Sequence, residues 1–142
     1  MRRFLLVVIT LGLAGCGSEK LNAAFSGLWT GPATLTMGSY TATETVQLTI
    51  TLPSETTLTI APVCPGNAGS ITATGSGNSA SWSGSQVCPA FAIGSCASVT
   101  VTLTSGTGSL SSDGKTLSAQ ESGTASGCST SAAFSWSFSG VK

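Results

Sequence analysis

The sequence predicts an all-β domain, an antiparallel up-and-down β-barrel of about eight strands, with a β-sandwich as the alternative. Three observations point there. Apolar residues recur at every second position in several segments. Gly, Asn, Asp and Pro break the chain at short intervals, as in a meander of antiparallel strands. No stretch keeps the period of an amphipathic helix.

The elements follow in order. A first strand is expected over 27–37. Val46, Leu48, Ile50 and Leu52 alternate with Thr45, Gln47, Thr49 and Thr51, which places a second over 42–52. Shorter strands follow over 56–63, 69–75 and 79–87. Val99, Val101 and Leu103 alternate with Thr100, Thr102 and Thr104 and open a segment over 97–111. A strand over 115–123 precedes the last, 131–141, where Phe134, Trp136 and Phe138 alternate with Ser135, Ser137 and Ser139. Alternation sends one set of side chains to each face, so each strand has an apolar face and a hydroxyl face. Pro53-Ser54-Glu55 and Gly75-Ser76-Gly77-Asn78 read as short turns, and Asp113-Gly114 as a two-residue hairpin turn. Gly106 and Gly108 mark either a bulge in one long strand or a turn between two. The bulge gives eight strands, an even number, so that first and last can pair antiparallel and remove both sheet edges.

Residues 1–15 stand apart. Arg2 and Arg3 precede an apolar run from Phe4 to Ala14. As a helix that run spans about 16 Å, far short of a ~30 Å hydrocarbon core, so it reads as a targeting segment. It ends Leu13-Ala14-Gly15-Cys16, which resembles the lipobox of bacterial lipoproteins. The resemblance implies cleavage before Cys16, a lipid-bearing sulfur and an acylated amino group, and therefore a membrane partner reached through Cys16. Gly17 is not the aspartate that often retains such proteins at the inner membrane, so the expected address is the outer membrane or cell surface. The chain then divides into a signal peptide (1–15), a lipidated N-terminus and tether (16–25) and an all-β domain (26–142).

Within that domain Gly27-Leu28-Trp29 resembles the G-x-W that opens lipocalin-type barrels. In that family the tryptophan lies under the barrel floor and a late arginine packs over it. No arginine follows Arg3 in this chain, so the resemblance extends to architecture and not to a lipocalin's ligand.

Four cysteines remain beyond Cys16: Cys64, Cys88, Cys96 and Cys128. Export places them where disulfides persist. They allow three pairings; the preferred one joins Cys88 to Cys96 and Cys64 to Cys128. A zinc site is disfavoured by the missing C-x₂-C spacing and the absence of histidine. With eight strands, all four fall at one rim, and the tether leaves from the other. Pro89, Phe91 and Ile93, between Cys88 and Cys96, form a candidate binding loop on that rim, or else Phe91 plugs the top of the core.

Charge excludes more than it suggests. The mature chain keeps Lys20, Lys115 and Lys142 against Glu19, Glu44, Glu55, Asp113 and Glu121. A nucleic-acid groove needs clustered Lys and Arg, so no nucleic-acid partner is expected. Without histidine neither a Ser-His-Asp triad nor a Cys-His pair is available. The carboxylates read as solvated edge charges, although Glu44 and Glu121 have a chance to meet. No enzyme activity, metal or cofactor is expected. Three functions fit: an envelope lipoprotein whose stapled rim contacts another macromolecule, a carrier of a small apolar ligand, and an inhibitor of a secreted hydrolase. Volume separates the second from the others. An interior filled by Leu48, Ile50, Val101, Phe134, Trp136 and Phe138 leaves no room, whereas a cavity above ~300 Å³ favours a carrier.

Overall fold

The computed structural model describes residues 19–63, 69–88, 99–127 and 130–142, with backbone alone at 86–88. Eight strands follow one another: β1 (Gly27–Met37), β2 (Tyr40–Thr51), β3 (Thr57–Ala61), β4 (Ile71–Ser76), β5 (Ser79–Cys88), β6 (Val99–Leu110), β7 (Thr116–Gly127) and β8 (Thr130–Val141). Each pairs antiparallel with the next, and β8 returns to β1, with Ala33 opposite Phe138 and Leu35 opposite Trp136. The sheet is therefore a closed up-and-down barrel rather than a sandwich. Apolar side chains point in, and Thr and Ser point out. The outer hydroxyls pair across strands, as in Thr34 with Thr43 at 2.9 Å and Ser105 with Ser122 at 2.9 Å. Such pairs keep the surface wet without charge and tie neighbouring strands together.

The long segment is one strand. The register of β6 shifts between Leu103 and Ser105 against β7, so an extra residue sits at Thr104. Leu103 and Gly106 both face inward although they are three apart, while Thr104 and Ser105 both face solvent. The bulge restores the phase of the alternation and keeps the strand count even.

Other boundaries differ for physical reasons. β2 begins at Tyr40, because Gly38 takes a positive φ of 59° and turns the chain in two residues. β7 runs to Gly127 rather than ending near 123. Its inward positions there are Gly123, Ala125 and Gly127, too small to show as apolar alternation. The Asp113-Gly114 hairpin is wider than the expected two-residue turn. Ser111 and Thr116 close it through a backbone bond of 2.9 Å, and Gly114 bonds back to Ser111 at 2.9 Å with φ 68°. Asp113 serves instead as the cap: its Oδ1 accepts from Ser111 Oγ at 2.6 Å and from the Lys115 N–H at 3.1 Å.

One end of the barrel is shut. Residues from Leu21 to Phe25, read from sequence as tether, pack as its floor. The Leu21 N–H donates to the Glu55 carbonyl, Asn22 to Gly77, and Gly77 to Lys20. A single 3-10 turn (Ala23–Phe25), capped by the Asn22 side chain, then drops Phe25 into the core at 1% exposure. Trp29, fully buried, donates its indole N–H to the Phe25 carbonyl at 2.8 Å. The Lys142 ammonium lies 4.8 Å from the Trp29 ring centroid and also donates to the Ala24 carbonyl. The strand ends nearest in sequence to the four cysteines, at Ala61, Cys88, Val99 and Gly127, all lie at the opposite end of the barrel.

Candidate functional site: a hollow barrel interior

The barrel is hollow above its floor. A cavity of about 1050 Å³ runs from Phe25 at the base to Met37, Tyr40, Pro62 and Val63 at the far end. Its volume lies just above the ~300–1,000 Å³ typical of small-molecule sites. Leu48, Ile50, Val101, Phe134 and Trp136 line it rather than fill it. Only Phe138 of that set stays buried outside the cavity wall.

Small residues make the space. Gly108 of β6 stands opposite Ala119 of β7, Ala119 opposite Phe138 of β8, and Phe138 opposite Ala33 of β1. One large ring thus shares its row with glycine and alanine. Ala42 and Ala125 line the cavity higher up. The wall is also uneven. β2 pairs with β3 only over Thr49–Thr51, so Tyr40–Leu48 extend past the last rung shared with β3. Thr45 and Gln47 of this stretch border the cavity as well.

A row of partnered residues crosses the lumen wall: Trp82 of β5, Gly106 of β6, Glu121 of β7 and Trp136 of β8. A side chain at 106 would displace the indole, because a Cβ there would lie 2.0 Å from Trp82 Nε1. The bare glycine lets the indole lie across β6, and its N–H donates to Glu121 Oε1 at 2.8 Å. Trp136 stacks on Phe138 with centroids 5.8 Å apart and planes parallel to 1°. Glu121 is thus a half-buried carboxylate on a mainly apolar cavity wall. Burial pushes its pKa above the ordinary glutamate value, and the Trp82 bond pulls it part of the way back. Glu44 borders the same cavity but is exposed.

Glu121 is not the edge charge the sequence suggested, whereas Glu44 is exposed as expected. Both are in phase with the apolar face: Glu44 with Val46, Leu48 and Ile50, and Glu121 with Leu117 and Ala119. That phase was visible in the sequence. It was masked at Glu121 by ending the strand at 123, which put the residue near a tip instead of at mid-strand.

Cys16, Cys64, Cys96, Cys128, Pro89, Phe91 and Ile93 lie outside the described residues. Cys88 ends β5, opposite Val99. Among the described residues no three His, Cys, Asp or Glu side chains cluster as metal ligands, and no helix is long and apolar enough to cross a membrane. No protein-family model matches the sequence, and no curated protein or solved structure matches it.

Proposed function

We propose that this protein is a lipid-anchored carrier of the cell envelope, holding one small, largely apolar ligand in its barrel. The observation that carries the reading is the cavity of about 1050 Å³ with its floor closed by Phe25 and its wall of Leu, Ile, Val and aromatic side chains. A domain that served only as a contact surface has no need of such a void, since unfilled apolar space costs stability. The lipocalin-like reading of Gly27-Leu28-Trp29 gains a further support. The cation that family places over its tryptophan has a counterpart in Lys142, at the chain's other end.

The anchor belongs to the same proposal. Acylation at Cys16 holds the chain at a membrane, and the floor residues Lys20 and Leu21 follow shortly after. The closed end then faces the lipid and the opposite end faces away. Two or three acyl chains, at ~0.8 kcal/mol per buried methylene, make that attachment durable.

Native mass spectrometry of the protein extracted from its own membranes tests the carrier reading. The expected result is an added small-molecule mass that is lost on denaturation. A fully apo spectrum, together with failure of apolar probes to bind, overturns it.

A further inference from the structure

The lumen carries a charge preference. Among the described residues, the formal charges bordering the cavity are Glu44 and Glu121, both acidic. Lys20 and Lys142 sit at the floor, on Glu55 and on Trp29 and Ala24, and Lys115 lies in the hairpin after β6. A carboxylate partly withdrawn from water against apolar groups gains from a partner of opposite charge. Glu121 has one hydrogen bond among the described residues, from Trp82 to Oε1. A carboxylate accepts about four such bonds, so the group retains capacity toward the cavity it lines. Indole rings flank it on both sides of the row, Trp82 through Gly106 and Trp136 directly opposite on β8. An anionic headgroup such as a fatty-acid carboxylate meets repulsion here. A positively charged nitrogen meets a counterion, and aromatic faces that attract cations.

We propose that the ligand is an apolar molecule bearing one basic nitrogen, with the Glu121 carboxylate as its counterion and Trp82 and Trp136 beside it. The inference rests on the carrier reading and names the ligand class for that same cavity.

Three volume-matched probes test it: 1-adamantylamine, 1-adamantanol and adamantane-1-carboxylate. Each is titrated by calorimetry into the full-length protein held in phosphatidylcholine nanodiscs, with empty nanodiscs as the blank. The amine is expected to bind at least about tenfold more tightly than the alcohol, the scale of one charge-assisted hydrogen bond, and the carboxylate most weakly. Glu121→Gln keeps an acceptor for Trp82 and is expected to bring amine and alcohol within about twofold of each other, since the net charge that attracts the cation is gone. Alcohol affinity is expected to stay unchanged in that variant. Glu55→Gln, at the floor, is expected to leave the preference intact. Equal binding of the three probes, or an amine preference that survives Glu121→Gln, overturns the inference while leaving the carrier reading in place. Binding of none of them counts against the carrier reading and takes the inference with it. If Glu121→Gln does not fold, Glu121→Asp withdraws the charge by one methylene, and a fall in the amine-to-alcohol ratio is then the expected result. An unchanged ratio there overturns the inference.

Discussion

Trp82 and Glu121 meet over Gly106, with the indole N–H 2.8 Å from the carboxylate and no room for a Cβ between them. Three adjacent strands contribute one residue each, and the absence of a side chain on the middle strand is what lets the outer two touch. Gly106→Ala forces the indole aside and breaks that bond. The expected cost is roughly 1–3 kcal/mol, the usual range for overpacking a core. Gly108→Ala, where the nearest ring atom is 3.2 Å from the new Cβ, is expected to cost less. Urea denaturation followed by tryptophan fluorescence compares the two. Equal stabilities would show that the indole is not locked over β6.

Stability is expected to depend on pH through Glu121. Its folded pKa is raised by burial, so between the ordinary value of 4.5 and that raised value the native state holds the proton more tightly than the unfolded chain. The protein therefore loses stability as pH rises from 4.5 through the folded pKa, and the penalty is constant above it. Glu121→Gln removes this slope. Thermal melts of both proteins across that window check the sign, and a wild-type stability that climbs with pH there contradicts it.

Asp113 runs the other way. Its pKa is lowered by the Ser111 hydroxyl and the Lys115 N–H. The stability it contributes is present above 3.8 and fades as pH falls through the lowered value. Asp113→Asn is expected to be less stable than wild type at neutral pH and to converge with it in strong acid. Chemical denaturation at both pH values reads the difference.

The floor is a separable unit. Lys142→Met keeps a chain of similar length over Trp29 but removes the cation, at an expected cost of about 0.5–1 kcal/mol. Probe binding in the cavity is expected to be unaffected, because Lys142 lies on the far side of Trp29 and Phe25. A melting curve with a parallel calorimetric titration separates the two effects.

Filling the lumen tests whether the void is used. Ala119→Leu and Ala125→Leu each add three carbons to a cavity-lining position. Both are expected to reduce the co-purifying small-molecule mass, and the double variant to abolish it, while circular dichroism still reports β-structure. Undiminished ligand in the double variant places the ligand elsewhere.

Cys16→Ser addresses the anchor. The wild type is expected to show a lipid-dependent mass by mass spectrometry, and the variant to lack that mass and to keep residues 1–15. A wild type that itself retains residues 1–15 without added lipid overturns the lipoprotein reading.

The sequence by itself determined the class of fold, because strand alternation is local. Val46–Leu48–Ile50 and Phe134–Trp136–Phe138 each declare an inner and an outer face without reference to any other segment. Turn residues mark roughly where strands stop, but whether 97–111 is one strand or two, and so which end each later connection reaches, was decided by the bulge in β6. The hollow interior was not legible in the same way. Whether Phe138 fills a core or leaves a gap depends on the residues beside it, and those are Ala119 and Ala33, on strands assigned by register rather than by proximity in the chain. The same holds for Glu121. Alternation assigns it a face, but only closure of the sheet brings Trp82 over Gly106 and turns that face into a chamber wall. Side-chain direction is a property of the strand. Packing volume and the pairing of a half-buried carboxylate belong to several strands at once, and they exist only after the barrel closes.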